Sequence, residues 1–334
     1  MKSFHQYIQE SVLTEKAPTP MGNDALNTAN KQNTAFGNAY ETATVMHLHH
    51  ATNSLHNPDP EYQAKIKHIQ QKHHEAMALL PPNKQEEVLT SAKKSAHAYL
   101  GSLKDHESID PEHIHEVHHT SQGISSHVGH HVDRASNPQD ILVKGANAGG
   151  QFMHGASLKA KSGTASNNSV AAFEKASELH GLKTDIGSHW NEGKKRAGLA
   201  GKTGKEVKEL RHDPELIKHN SDTQQSAAFT HANDFNNAKH KVKQAHILHF
   251  LKASPDLPYH YVVGNKGTST PIGSHPAVQA IRSSKSLTAS VKNNVVHFHN
   301  EKGEHIASTE HRTTHGAFSS PQANFKFGTM KAPK

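Results

Sequence analysis

One stretch of the chain combines chemically capable side chains with a backbone pattern that would bring them together. It spans residues 137–161 and has the sequence NPQDILVKGANAGGQFMHGASLKAK. Asp140 precedes a run of β-forming residues, a Gly/Asn-rich turn follows, and a second run ends at Lys159. Because successive side chains of a strand point to opposite faces, Ser157 and Lys159 share one face while Leu158 points into the core. The pattern therefore predicts a β-hairpin in which a carboxylate and an amine meet at one end.

This hairpin resembles that of the PD-(D/E)XK nuclease superfamily, whose motif is an aspartate, a turn, and then an acid-x-lysine sequence on the next strand. Asp140 matches the aspartate and Lys159 matches the lysine. Pro138 lies one residue further from the aspartate than the motif expects, and Ser157 stands in place of the second acid. A hard divalent cation needs several oxygen ligands, usually carboxylates. Restriction enzymes of the superfamily that have a serine there take the acid from the following helix, so the resemblance assigns Glu174 as the replacement ligand.

A predicted helix upstream supplies a further carboxylate. Residues 35–51 carry apolar side chains at the three- and four-residue spacing of a helix. The Gly-Asn-x-x-Glu sequence at its start resembles the first helix of many of these nucleases, where a glutamate faces the metal site, and this assigns Glu41. The resemblance implies that Asp140, Glu174 and Glu41 hold Mg²⁺ or Mn²⁺, which polarises the scissile phosphate and lowers the pKa of the attacking water. Lys159 would orient that water and offset the developing charge.

Other hypotheses fit the same residues. Taken singly, an aspartate, a Ser-x-Lys sequence or a glutamate is far more often a solvated surface residue than a catalytic one. The order of helix glutamate, strand aspartate, strand lysine and helix glutamate favours the nuclease hypothesis. The main alternative is a non-catalytic virion or internal head protein that keeps the nuclease-like fold only to bind DNA, and Ser157 is the feature that most favours it. A third hypothesis makes the histidine-rich region a metal-binding module beside an unrelated C-terminal domain.

The composition bounds these hypotheses loosely. At 334 residues the chain is long enough for one large or two ordinary domains, and an apolar fraction of 33% predicts a modest core with long polar excursions. The net charge of +7 suits a polyanionic partner such as the DNA phosphate backbone. The absence of cysteine excludes disulfides and thiolate zinc sites. No apolar run approaches the roughly 20 residues that a membrane helix needs, so no membrane partner is expected.

The first 15 residues form the pattern of an amphipathic helix, without the continuous apolar run of a secretory signal. They resemble the capsid-targeting leader of internal head proteins in T-even-like phages, which the prohead protease cuts after a Leu-x-Glu or Ile-x-Glu triplet. Residues 8–10 and 13–15 are such triplets. The resemblance implies packaging in the phage head, with the head shell and the prohead protease as partners, and the alternative is an ordinary docking helix. Residues 16–34 are predicted to form a linker.

The histidine-rich residues 53–136 are predicted to form a helical insertion. Three helices are expected within it, at residues 60–80, 83–103 and 111–119. Imidazoles four residues apart on a helix, such as His115 and His119, can bind Zn²⁺ or Ni²⁺. A histidine-rich segment without cysteine is more often a solvated surface, and a rise in positive charge as the pH falls toward 6 is a further interpretation.

A glycine- and lysine-rich segment, residues 183–208, predicts a loop that touches DNA phosphates. Its Gly201-Lys202-Thr203 triplet is not a phosphate-binding loop, because the first loop glycine would fall on Arg196. A flexible solvated loop is the alternative. The residues predicted to contact DNA are Lys161, Lys194, Lys195, Arg196, Lys202, Lys205 and Arg312.

The remaining patterns predict one long helix and then several strands. The helix is expected at residues 222–253 and the strands at 259–263, 287–291, 295–299 and 305–310. With the resemblance, this implies an α/β fold of the restriction-endonuclease-like type, a mixed sheet flanked by helices. The nuclease-like domain would cover residues 35–334, with the helical insertion and a β-rich C-terminal part at 255–334. The expected function is a phage-type Mg²⁺-dependent endonuclease that hydrolyses DNA, in the virion interior or the host cytoplasm, with a homodimer as the expected assembly.

Overall fold

The computed structural model describes the chain in two compact units. The described residues are 25–120, 125–128, 137–161, 164–203, 206–207, 210, 213–314 and 317–330. The first unit comprises Met1–Gly163 and Pro255–Ile272, and the second comprises Thr164–Ser254 and Gly273–Lys334. The predicted leader, residues 1–15, lies outside the described residues. No helix in the described ranges has both the length and the apolar character that crossing a bilayer requires.

Helices and strands occur in both units, so the described residues form a mixed α/β fold. The helices are α1 (Ala25–Ala51), α2 (Pro60–Ala78), α3 (Pro82–Glu107), α4 (Ser125–Val128), α5 (Val170–Leu179), α6 (Ile186–Arg196), α7 (Pro214–Asn237), α8 (His240–Phe250) and α9 (Pro276–Ser283). The strands are β1 (Ile114–His119), β2 (Ile141–Asn147), β3 (Gly150–Lys159), β4 (Thr164–Ser169), β5 (Tyr259–Val263), β6 (Thr268–Pro271), β7 (Leu287–Lys292), β8 (Val295–Asn300), β9 (His305–Thr313) and β10 (Pro321–Phe327). Helix α1 begins at Ala25, so it includes the second part of residues 16–34, which the sequence predicts as a linker.

The first unit contains a mixed sheet with strand order β1-β2-β3-β5-β6. Strand β2 is antiparallel to both β1 and β3, β5 runs parallel to β3, and β6 is antiparallel to β5. Helix α1 contacts β1 and packs against α2 and α3, while α3 contacts β5 and β6. The buried core joins helix residues such as Ala43 and Leu103 to strand residues such as Val143, Ala156 and Val262. The predicted hairpin is confirmed as β2 and β3.

The prediction of a helix at residues 111–119 is wrong. Only Pro111–His113 forms a helical turn, of the 3₁₀ type, and the chain then continues as β1. Ile114 and Val117 enter the core, and the pairing with β2 satisfies the backbone groups of this segment. The region predicted as a helical insertion therefore also contributes a strand to the sheet.

The second unit contains an antiparallel sheet with strand order β4-β10-β9-β8-β7. Helix α7 contacts β7, β8 and β9, and α5 contacts β4 and β10. The core is aromatic: the rings of Phe173 and Phe250 stack at 5.0 Å between centroids, and those of Phe250 and Phe325 stack at 4.5 Å. The strands predicted at 287–291, 295–299 and 305–310 are confirmed.

Three fully buried histidines contact one another in series within this aromatic core, and we call them the buried histidine chain. The central member, His231, contacts His311 through Nδ1 at 3.1 Å and His246 through Nε2 at 3.1 Å. Each of the three is 0% exposed. Burial lowers the pKa of His246 and of His311 to about 3, and lowers that of His231 well below its usual value. The three imidazoles are therefore neutral in the folded chain at neutral pH.

The single helix predicted over residues 222–253 is two helices, α7 and α8. The chain is extended at Ala238, and α8 starts two residues later. The side chain of Asn236 donates to the carbonyl of Ala289 at 2.9 Å and accepts from its N–H at 2.8 Å. These two bonds fix the end of α7 to the edge strand β7, where the helix stops.

Replacing the residue that caps α7 should destabilise the second unit. The carboxylate of Asp213 accepts hydrogen bonds from the N–H groups of Glu215 at 2.9 Å and Leu216 at 3.1 Å. These N–H groups lie in the first turn of α7, where the helix itself provides no carbonyl acceptor for them. Asp213→Ala should therefore lower the free energy of unfolding by about 1 kcal/mol. Urea unfolding followed by the fluorescence of Trp190, which is in this unit, measures the change. Asp222→Ala, on the exposed face of the same helix, is the control and should stay within about 0.5 kcal/mol.

Candidate active site

The backbone of Asp140 is fixed immediately before β2. Its N–H donates to the carbonyl of Ala156 on β3 at 2.8 Å, and its carbonyl accepts from the N–H of Thr120 at 3.0 Å. These bonds continue, by one residue, the pairing of β2 with both of its neighbours. Asp140 therefore lies at the end of a three-stranded ladder, held on both sides.

The carboxylate of Asp140 points to the end of β3. Its Oδ2 accepts from the N–H of Leu158 at 2.6 Å, and the Nζ of Lys159 lies 3.8 Å from the same oxygen. Lys159 also donates to the Oγ of Ser157 at 3.2 Å, and Ser157 is only 2% exposed. The structure thus brings together the aspartate, the serine and the lysine of the predicted hairpin, with the lysine between the other two groups.

Helix α1 brings Glu41 to the same region of the first unit. Its Oε2 lies 2.9 Å from the Nε2 of His119, the last residue of β1. The preceding residue anchors this part of the helix, since the hydroxyl of Tyr40 lies 2.6 Å from the Oγ of Ser95. A Cβ atom at Gly264 would be only 2.7 Å from that tyrosine hydroxyl. Glycine at this position therefore leaves room for the contact that orients the residue beside Glu41.

The pKa of Asp140 reflects the burial of its carboxylate and the charged groups around it. Burial raises the pKa of Asp140 to about 6, the ammonium of Lys159 opposes this shift, and the carboxylate of Glu41 adds to it. The side chain is still 26% exposed, so the recess is accessible to a small ligand. A hard divalent cation would offset the repulsion that the carboxylate of Glu41 exerts on that of Asp140. Carboxylates are also the ligand type that Mg²⁺ and Mn²⁺ prefer.

Glu174, the predicted replacement for the second acid, belongs to the second unit. It lies on α5, and its Oε1 accepts from the N–H of Gly187 at 2.7 Å. Gly187 is in the first turn of α6. A carboxylate there accepts from an otherwise unpaired N–H group, and its negative charge interacts favourably with the positive end of the helix dipole. Glu174 therefore acts as a cap between two helices of its own unit, and its assignment as a metal ligand stays a prediction.

The basic residues predicted to contact DNA divide between the units. Lys161 is in the first unit, where it lies 2.8 Å from Glu87 and is 62% exposed. Lys194, Lys195 and Arg196 form the last turn of α6 in the second unit, where positive charge stabilises the end of the helix. The second unit also contains Lys202 and Arg312, while Lys205 lies outside the described residues.

Sequence reasoning missed the role of His119 in this site. The sequence paired it with His115 on an expected helix, whereas on β1 the two rings lie four residues apart along a strand. His119 contacts Glu41, which is 78 positions earlier in the chain. Buried side chains do not alternate along β1, so the local sequence contains no strand signal that could have identified it.

Comparisons with models of protein families, with curated proteins and with solved structures find no match to this chain.

Proposed function

We propose that the first unit is a metal-dependent nuclease of the PD-(D/E)XK kind, which hydrolyses phosphodiester bonds of DNA. The observation that carries the proposal is the cluster of Asp140, Ser157 and Lys159 on two adjacent strands, with Glu41 supplied by a helix. Glu41, Asp140 and Lys159 are the residue types, in the element order, that the motif resemblance implies, and Ser157 stands where the motif has an acid. The mixed sheet with helices packed against it also supports a restriction-endonuclease-like fold.

Each residue of the cluster has a distinct task in this proposal. Asp140 and Glu41 would hold Mg²⁺ or Mn²⁺, and the ion would polarise the scissile phosphate and make a bound water more acidic. Lys159, between the aspartate and Ser157, is available to orient the attacking water and to stabilise negative charge that develops on the phosphate. His119 positions Glu41 through the contact at 2.9 Å. Ser157 supplies a hydroxyl, where the motif has a carboxylate, and holds the amine of Lys159.

The proposed substrate and setting come from charge and from the N-terminal resemblance. The net charge of +7 favours the polyanionic DNA backbone. The predicted contacts from the lysine- and arginine-rich segment of the second unit would add affinity that does not depend on the DNA sequence. The resemblance of residues 1–15 to a capsid-targeting leader supports packaging in a phage head, from which the protein would enter the host cytoplasm with the genome.

Cleavage of supercoiled plasmid by the purified full-length chain tests the proposal. We expect nicking or linearisation that requires Mg²⁺ or Mn²⁺ and stops with EDTA. Asp140→Asn should reduce the rate at least about 100-fold, because it removes a charged ligand while preserving its shape. Glu41→Gln should also reduce it, whereas Glu86→Gln, a change of the same type on the exposed surface of α3, should leave it within about twofold. Glu174→Gln in the same assay tests the remaining predicted ligand.

A different result would favour the non-catalytic alternative. If the folded protein retains DNA in a gel shift but cleaves none with either ion, a DNA-binding protein with a nuclease-like fold accounts for the data, and Ser157 is the residue that explains the missing activity. Cleavage that persists in Asp140→Asn would exclude this site as the catalytic centre.

A further inference from the structure

A second group of ligand-type side chains lies in the first unit, apart from the proposed nuclease residues. Glu107 is the last residue of α3, and His154 and His260 are on the neighbouring strands β3 and β5. One ligand atom from each of the three lies within 4.8 Å of the others. Because Ala156 pairs with His260 in the parallel register, His154, two residues before Ala156, is on the same face of the sheet.

Two imidazole nitrogens in this group are buried without a hydrogen-bonding partner in the part of the chain that the structure describes. They are Nδ1 of His154 and Nε2 of His260, and the side chain of His260 is only 1% exposed. Nε2 of His260 is 3.7 Å from Oε1 of Glu107, which is beyond hydrogen-bonding distance. A buried polar atom without a partner is destabilising, so two such nitrogens beside a carboxylate form a suitable set of ligands for a cation.

Two hydroxyls occupy the other nitrogen of His260, since Nδ1 lies 2.9 Å from Oγ of Ser102 and 3.4 Å from Oγ of Ser269. Because the hydroxyl of Ser102 can donate to the carbonyl of Ser269 at 3.4 Å, its Oγ is able to accept a hydrogen from Nδ1. With the proton on Nδ1, Nε2 presents a lone pair toward Glu107. Burial lowers the pKa of His260 to about 3, which keeps the ring neutral. A lone pair directed at a carboxylate is repulsive unless a cation lies between the two.

We propose that Glu107, His154 and His260 bind a Zn²⁺ ion that links the end of α3 to strands β3 and β5. Two imidazoles and one carboxylate form a donor set that zinc accepts, with a fourth position left for water or another ligand. Mg²⁺ and Ca²⁺ prefer oxygen ligands throughout, so this site differs in kind from that of Asp140 and Glu41. Ligands of a tetrahedral zinc lie roughly 3.3 Å apart, given bonds of about 2.0–2.1 Å, and the 3.7 Å separation of His260 and Glu107 needs only a small adjustment.

The contact of Ser102 with His260 is the outer-shell bond that metal-binding histidines ordinarily make. Tyr99 completes the surroundings: its hydroxyl donates to the carbonyl of His154 at 3.1 Å, and its ring lies edge-on to that of His260 at 5.4 Å. Glu107 is the accessible member, with 31% of its side chain exposed, so an ion would enter from its side. The site is independent of the proposed nuclease activity.

Zinc titration of the full-length protein, after removal of metal with a chelator, tests the inference. Competition with a chromophoric chelator measures affinity and stoichiometry, and Co²⁺ in place of Zn²⁺ gives the visible bands of a tetrahedral site. We expect one tight equivalent in the unmodified chain, and a loss of at least about 100-fold in its affinity in Glu107→Gln and in His154→Gln, because replacing even an outer-shell partner costs about 10–100-fold. Ser102→Ala should show that smaller loss.

The matched control is His106→Gln, which changes an exposed histidine next to Glu107 and should retain the tight equivalent. Circular dichroism of each variant verifies that it is folded, and His154→Gln serves if Glu107→Gln does not fold. Equal affinity and stoichiometry in Glu107→Gln, His154→Gln and the unmodified chain would overturn the proposal, since zinc would then bind through other histidines. The absence of a tight equivalent in the unmodified chain would overturn it as well.

Discussion

Acidification from pH 7 to pH 5 should unfold the second unit, because the buried histidine chain cannot accept protons while the fold is intact. His231, His246 and His311 are fully buried among phenylalanines, and each ring has a pKa below its usual value because of burial. A charge placed there would lose its hydration without gaining a counterion, since the titratable groups that face His246, such as His180, are themselves basic. Protonation is therefore coupled to unfolding.

The direction in which stability changes with pH follows from the pKa values of these histidines in the unfolded and in the folded chain. The unfolded chain binds these protons below pH 6.5, the ordinary pKa of histidine, whereas the folded chain binds them only near pH 3, where the pKa values of His246 and His311 lie. The stability contribution is thus complete above pH 6.5 and is lost as the pH falls toward 3. Each histidine then costs about 2 kcal/mol at pH 5, or roughly 6 kcal/mol for three, which is comparable to the whole free energy of unfolding of a typical domain.

Fluorescence of Trp190, the single tryptophan of the chain, is the appropriate probe because this residue is buried in the second unit. Urea titrations at several pH values should give a free energy of unfolding that declines steeply below pH 6.5. His231→Leu should make that slope less steep, because it removes one of the three groups of the buried histidine chain. His219→Gln, on the exposed face of the same helix, should leave it unchanged. A slope that is the same in His231→Leu and the unmodified chain would contradict the explanation.

Residue patterns predicted the C-terminal strands well because their periodicity is local. Along β7 and β8, more buried and more exposed side chains alternate, so the amphipathic pattern is visible in six residues of sequence. Strand β1 was mistaken for a helix because histidines occupy positions that face inward, such as His118, which is 6% exposed. A polar residue at a buried position removes the alternation on which the prediction depends. The break between α7 and α8 has no proline or glycine, and bonds from Asn236 to a distant strand fix it.

The same distinction separates the site residues that the sequence predicted from those it missed. Asp140, Ser157 and Lys159 belong to one hairpin, so the turn between its strands sets their proximity and the sequence contains that information. His154 and His260, by contrast, come together through the parallel pairing of β3 with β5. Between them in the chain lie residues 164–254, the whole first segment of the second unit. No spacing rule connects residues whose proximity depends on such a crossover. Metal-site motifs therefore identify local ligand pairs and miss ligand sets assembled by sheet topology.

Lys159→Met should reduce the rate of DNA cleavage by about 100- to 1,000-fold, the usual effect of removing one group that stabilises transition-state charge. The Nζ of Lys159 is 3.8 Å from Asp140 and 3.2 Å from Ser157, and methionine keeps the length and the apolar stem of the side chain while removing its charge. The change also removes the cation that lowers the pKa of Asp140, so a larger fraction of the aspartate would be protonated at neutral pH. Both consequences lower the rate. Single-turnover cleavage at saturating protein separates this loss from a loss of DNA affinity.

Lys161→Met is the matched control, since Lys161 is two residues further along, is 62% exposed and pairs with Glu87. Lys161 carries the same charge as Lys159, so any effect of net charge on DNA binding is common to both variants. The single-turnover rate of Lys161→Met should change less than about threefold. Equal losses in the two variants would mean that lysines of this segment act only through DNA binding. A large loss confined to Lys159→Met, with the affinity for DNA preserved, would instead require the amine at the end of β3 for the chemical step. That result would also show that a serine can replace the second acid of the motif when a lysine is held between it and the aspartate.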